Sequence, residues 1–196
     1  NNLKVINQNA FENCALEGTI DLSSIHMISD YAFAGNQKLE GVKTGDTLIS
    51  IGSYAFAGCK KLADITITAD KVKYGSYAFT GCESIKEFTV NGAVLPEGMF
   101  YECDSLEKVT IGKDVNDIGE FAFRDTILSK FEIDKKNKTF ETPDGLYIIA
   151  NKGKELVAVA PSVEGEFSAA TMGGNDKVEV VGNGAFSHNT QINSVV

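Results

Sequence analysis

Apolar residues return along this chain in one pattern, about every 23 residues. With a phenylalanine as origin, an Ala-Phe pair recurs as Ala10-Phe11, Ala32-Phe33, Ala55-Phe56, Ala78-Phe79, Ala122-Phe123 and Ala185-Phe186, with Met99-Phe100 as a variant. The spacings are 22, 23, 23, 21, 23 and then 63. Five residues before each Phe stands Ile6, Ile28, Ile51, Tyr74, Leu95, Ile118 or Val181. Five or six residues after it comes Leu16, Leu39, Leu62, Ile85, Leu106, Leu128 or Ile192. Seven units on one apolar template mark a repeat architecture.

The stretch after the Leu reads as a short strand in "LADITI" (62–67), "IKEFTV" (85–90), "LEKVTI" (106–111) and "LSKFEI" (128–133). The last three residues of each alternate apolar, polar, apolar, the period of a strand with one buried face. Val109 and Ile111 are expected to point in and Thr110 out. A strand, two turns and an apolar pair fit one period only if the chain winds once per repeat and stacks each strand ~4.8 Å from the next. The expected fold is an α/β-type repeat solenoid dominated by β-structure. It is a right-handed leucine-rich-repeat coil with one short strand per repeat. The Phe fills the side of the coil opposite the sheet, and the Ala before it lets the coils approach.

Three residues after each Phe the column reads Cys14, Asn36, Cys59, Cys82, Cys103, Thr126 and Asn189, which takes in all four cysteines. Their even number is compatible with bridges between adjacent coils. Asn and Thr cannot bridge, however, and what the column shares is a small, weakly polar, inward-facing group able to hydrogen-bond backbone. The cysteines are therefore read as reduced structural thiols. Zinc would want CxxC-type pairs, and here each Cys stands at least 20 residues from the next.

The unit Ile-x-x-x-Ala-Phe-x-x-Cys-x-x-Leu-x-x-Val-x-Ile resembles the BspA-like leucine-rich repeat family of bacterial cell-surface proteins. The likeness covers residues 3–133 and 178–196, with departures at Tyr74, Met99 and Thr126 that point to locally irregular coils. It implies a secreted, extracellular or cell-surface location, often in host-associated anaerobes, and adhesion to host proteins or to other microbes.

The whole of 1–196 is expected to be a single solenoid domain with an insert at about 134–177. "FETPDGLYIIANKGKELVAVAP" supplies that insert: a turn at Pro143-Asp144-Gly145, then apolar runs Leu146 to Ala150 and Glu155 to Ala160 around "NKGK", a hairpin pattern. It reads as a variant coil continuing the sheet or as a binding projection. "NNLKVINQNAF" opens inside a repeat without a leader, and "INSVV" stops where earlier copies build their strand. A segment of a longer chain is expected.

Charge narrows the partners. Eighteen basic against 27 acidic side chains leave a net charge of -9, which disfavours non-specific nucleic-acid or anionic-membrane binding, and "DKKNK" at 134–138 reads as a solvated turn. No apolar run reaches the length of a membrane span. No nucleophile elbow, zincin, Walker or dinucleotide motif occurs. His26 and His188 have no partner at a fixed offset, Asp134, Lys136 and Lys138 do not form a calcium loop, and "NKT" at 137–139 is a sequon read as unmodified. Neither catalysis nor a cofactor is expected.

The outward strand positions remain, with Asp64, Glu87, Lys108 and Lys130 in one column and Thr66, Thr89, Thr110 and Glu132 in the next. They are the candidate ligand surface, with acidic groups toward the N-terminal coils and lysines toward the C-terminal ones. The expected function is a non-catalytic adhesion or protein-binding module whose partner is a host or microbial surface protein. The alternatives are a spacer displaying another domain, or a repeat region attached to an enzyme.

Overall fold

The computed structural model describes residues 2–168, 172, 178–187 and 189–196. Each repeat contributes two strands. Coil 1 holds β1 (Val5–Ile6) and β2 (Glu17–Leu22), coil 2 β3 (Met27–Ile28) and β4 (Lys38–Thr44), and coil 3 β5 (Ser50–Ile51) and β6 (Asp64–Thr66). Coil 4 holds β7 (Lys73–Tyr74) and β8 (Glu87–Val90), coil 5 β9 (Val94–Leu95) and β10 (Lys108–Ile111), and coil 6 β11 (Asp117–Ile118) and β12 (Lys130–Ile133). The two-residue strands form parallel ladders β1-β3-β5-β7 and β9-β11, and the longer ones form β2-β4-β6 and β8-β10-β12.

Two expectations change. The fold is a β-solenoid and not of α/β type, since the one helical element among the described residues is a 3-10 turn at Asn151–Gly153. Each coil also carries two strands instead of one. The inward Ile five residues before the Phe brings one exposed neighbour into a ladder, as Met27 beside Ile28 does. Such two-residue strands are too short to show a period in sequence.

The core runs along the axis. Val109 and Ile111 are buried and Thr110 is half-exposed, as the alternation predicts. The Phe side chains form one column, with stacked rings at 5.3 Å for Phe11–Phe33, 5.2 Å for Phe33–Phe56 and 5.5 Å for Phe56–Phe79. Ala32, Ala55 and Ala78 have no exposed surface. The turn around each pair enters the left-handed region two residues before the Phe, at Tyr31 (φ 56°), Tyr54 (55°) and Tyr77 (59°). That conformation costs a non-glycine residue about 1–2 kcal/mol. Stacking of Tyr31 on Tyr54 (4.9 Å) and of Tyr54 on Tyr77 (5.1 Å) offsets part of it. In coil 5 the position is Gly98, where a Cβ would lie 2.1 Å from Cε1 of Tyr77, so this ring rests on a glycine only.

The cysteine column is a ladder of hydrogen bonds between coils. The Sγ of Cys59, Cys82 and Cys103 each donates at 3.2 Å to the carbonyl of the preceding coil's phenylalanine, Phe33, Phe56 and Phe79 respectively. Asn36 does more with the same position. Its Nδ2 donates to Phe11 O and Phe33 O, both at 2.7 Å, and its Oδ1 accepts from Leu16 N at 3.0 Å. Thr126 turns back to Phe123 O of its own coil at 2.8 Å. All four thiols are free, but Cys14 is exposed, which corrects the expectation that every member of the column faces inward. Cys14 lies in coil 1, where no turn among the described residues covers it.

The insert is part of the body. Its hairpin pairs β14 (Tyr147–Ala150) antiparallel with β15 (Glu155–Val159), while β13 (Phe140–Glu141) flanks β14. β15 pairs parallel with β17 (Val180–Val181), and β16 (Gly165–Phe167) pairs parallel with β18 (Ile192–Val195). Ile148 and Ala158 join the main core, while Tyr147, Ile149, Leu156 and Phe167 form a second cluster. The hairpin strands thus bury their side chains instead of projecting.

Candidate interaction surface

The long ladder sets the geometry of the outward face. In register, Glu87 lies beside Lys108 and Lys108 beside Lys130, while Thr89, Thr110 and Glu132 form the adjacent row. These six candidate residues therefore share one continuous three-stranded surface. Asp64 and Thr66 do not join it. They pair with Gly41 and Lys43 of β4, and no hydrogen bond links β6 to β8.

The charges of the face are compensated locally. Lys108 Nζ lies 2.6 Å from Glu87 Oε2, and Lys130 Nζ 2.9 Å from Glu132 Oε1. The hydrogen bond from Lys108 to Glu87 raises the lysine pKa, and the bond from Lys130 lowers that of Glu132. These pairs are exposed, so each contributes little to stability. They do mute the change of sign along the face that the isolated columns suggest.

Between β6 and β8 the surface opens into a cleft of about 320 Å³ bordered by Thr66, Ile67, Glu87 and Thr89, with Ile65 and Phe88 at its base. Ile65 and Ile67 are only partly buried, whereas Val109 and Ile111, their counterparts in coil 5, have no exposed surface. The interior of coil 4 holds Tyr74, Phe79 and Phe88 where coil 3 holds Ile51, Phe56 and Ile65. The Phe88 ring sits 5.1 Å from Phe79, 5.0 Å from Phe100 and 6.3 Å from Tyr74.

Other candidates settle into structural places. Asn137 of the sequon donates Nδ2 to Gly112 O (2.8 Å) and Val115 O (2.9 Å), while its Oδ1 accepts from Thr139 N and Phe140 N. Asp134 Oδ1 accepts from Lys136 N at 2.8 Å, closing a turn. His26 is half-buried, and its backbone joins neighbouring coils through Lys4 O and Ile49 N. His188 lies outside the described residues. Among the described residues no group of three or more His, Cys, Asp or Glu side chains is placed to hold a metal ion.

One surface feature went unread in the sequence. The tyrosine of "YAF" at 31–33, 54–56 and 77–79 makes a partly exposed ring stack on the turn side, continued by Arg124 over the Tyr101 ring (5.3 Å) and the Phe121 ring (5.6 Å). The signal was the recurring Tyr itself. Because the rings cover one another's faces, the stack offers edges rather than a platform for a sugar.

This architecture is that of a leucine-rich-repeat solenoid. Residues 26–143 match the BspA type leucine-rich repeat region in 6 copies, and the chain belongs to that family. Among curated proteins nothing matches. Among solved structures it is similar to a leucine-rich repeat protein from Eubacterium ventriosum, with a TM-score of 0.69, 19% identity, and coverage of 91% of this chain and 47% of that one. It is also similar to a leucine rich cell surface protein from Faecalibacterium prausnitzii (TM-score 0.64, 22% identity, 98% of this chain and 58% of that one). A third is the pneumococcal vaccine antigen PcpA (TM-score 0.55, 17% identity, 98% and 55%). The chain spans about half the length of these structures. At these identities the likeness is one of fold.

Proposed function

We propose that this chain is a non-catalytic protein-binding module displayed on a bacterial cell surface, with the outward face of the long ladder as its ligand surface. The observation that carries the reading is the continuous face of Glu87, Lys108, Lys130, Thr89, Thr110 and Glu132, held in register on a rigid parallel sheet. Family membership and the surface location named for the Faecalibacterium protein support the location. No helix among the described residues is long and apolar enough to cross a membrane.

The test is binding of the immobilised chain to purified extracellular-matrix and serum proteins. The reading expects saturable capture of at least one, weakened about tenfold or more by the double change Lys108→Glu and Lys130→Glu. That change turns a compensated face acidic. No saturable capture across the panel contradicts the reading and favours a spacer. Capture that ignores the double change places the surface elsewhere.

A further inference from the structure

The split between β6 and β8 interrupts a parallel sheet and leaves two strand edges facing each other. Register and pleat show which groups border it. Lys108 N donates to Lys86 O, so residues 108 and 110 turn their backbone groups back toward β8. One coil earlier, the equivalent Glu87 and Thr89 turn theirs toward β6, and Ile65 and Ile67 turn theirs toward β8. A closed ladder would join these four residues. Here no backbone hydrogen bond does so.

β6 and β8 form no ladder, although the coils that carry them stack closely through Phe56 and Phe79. Two successive strand spacings amount to about 9.6 Å. Two unpaired edges facing each other over a base of Ile65 and Phe88 offer hydrogen-bonding groups to both sides of one extended segment, which would part them to that spacing. The repeat also dictates the occupant's pattern. The adjacent strand of coil 5 places Val109 and Ile111 inward and Thr110 outward, so an inserted strand in the same phase needs alternate β-branched apolar residues.

We propose that this split accepts an extended segment of a partner protein, with β-branched apolar residues at alternate positions, as an added strand between β6 and β8. The inference rests on the protein-binding reading above and specifies its mode. Main-chain pairing supplies the attraction, and the apolar base selects the alternation. Glu87 and Lys108 also line the cleft, so side chains of the inserted segment meet the face that the double change Lys108→Glu and Lys130→Glu turns acidic.

The probe is a capped, fluorescent peptide carrying residues 105–112, the segment containing β10. Its anisotropy is titrated with the whole chain. Binding is expected to be saturable, and about tenfold or more tighter than for a scrambled peptide or for one N-methylated at its lysine and threonine. Thr89→Pro removes an N–H on the edge of β8 that faces away from its ladder with β10, so the variant should keep its Tm and lose binding by a similar factor. Equal binding of the N-methylated peptide overturns strand insertion and leaves the chain unaltered as its own control. Concentration-dependent dimers that exclude the peptide assign the split to a second copy and overturn a foreign partner. A surface protein captured equally well by the Thr89→Pro variant sinks the insertion while sparing the binding function. Absence of any capture by the natural chain sinks the function itself.

Discussion

Coils 3 and 4 meet on one side and part on the other. On the turn side Phe56 N and Gly58 N reach Ala78 O (2.9 Å) and Thr80 O (2.8 Å), and the rings of Phe56 and Phe79 stack at 5.5 Å. Cys82 adds its thiol bond to Phe56 O, and Lys60 meets Glu83 at 2.6 Å. On the sheet side the same two coils share no strand pairing. At this junction the stack is therefore held by its aromatic and thiol columns and by the short β5–β7 pair, while the long ladder is open.

The largest expected break of this comparison is Phe79→Ala, which removes the ring shared by both sides of the junction. A fully buried Phe lost to Ala costs about 3–5 kcal/mol, read as a shift in the midpoint of denaturant unfolding. A similar probe separates hairpin core from hairpin tip. Ile148→Ala should cost about 2–5 kcal/mol, whereas Lys152→Ala at the exposed turn should stay within about 0.5 kcal/mol. Comparable small losses for both would contradict the packed insert.

The thiol column gives the next effect. Burial pushes Cys59 and Cys103 up to about 12 and Cys82 well above its usual value of 9.0. A thiol raised in the folded state favours folding while it is neutral in both states, below pH ~9. That stability is lost as the pH rises from there toward the folded value, because the unfolded chain ionises first. Between pH 8 and 10.5 Cys59 should account for a loss of roughly 2 kcal/mol, and Cys59→Ala should show a correspondingly shallower decline. At neutral pH one thiol, Cys14, should react promptly with a disulfide reagent, and the other three only after denaturation. Four prompt thiols would remove the column from the core.

Phe88→Val sharpens the comparison most narrowly. It trims coil 4 toward the girth of coil 3, so part of the lost burial should be recovered as pairing of β6 with β8. Its cost should fall below that of Phe79→Ala, with slower amide exchange at Ile65 and Glu87. A full-sized loss with unchanged exchange would mean that Phe88 does not hold the split open.

The stacking order was legible because each coil repeats one large side chain and one small one at fixed offsets, so Phe56 and Phe79 declare their own column. The outward rows were legible from period 2 alone. The split was not, since "IKEFTV" and "LADITI" share an apolar and polar pattern. The pattern within one coil shows which side chains face inward, and it does not show whether that coil's strand pairs with the next. Cys14 misled for a related reason: its column position is internal, but no turn among the described residues stacks over it. The tyrosine stack depends on a positive φ at Tyr31, Tyr54 and Tyr77, a conformation that residue identity at those positions does not announce.

The most direct test of a stack closed on one side and open on the other is residue-resolved amide exchange in the free protein. Phe56 and Gly58 should be protected, while Ile65 and Glu87, at the same junction, should exchange about tenfold or more faster than Lys108 of the closed ladder. Equal protection of Ile65, Glu87 and Lys108 would show that the sheet runs unbroken through coils 3 and 4, and would contradict the account.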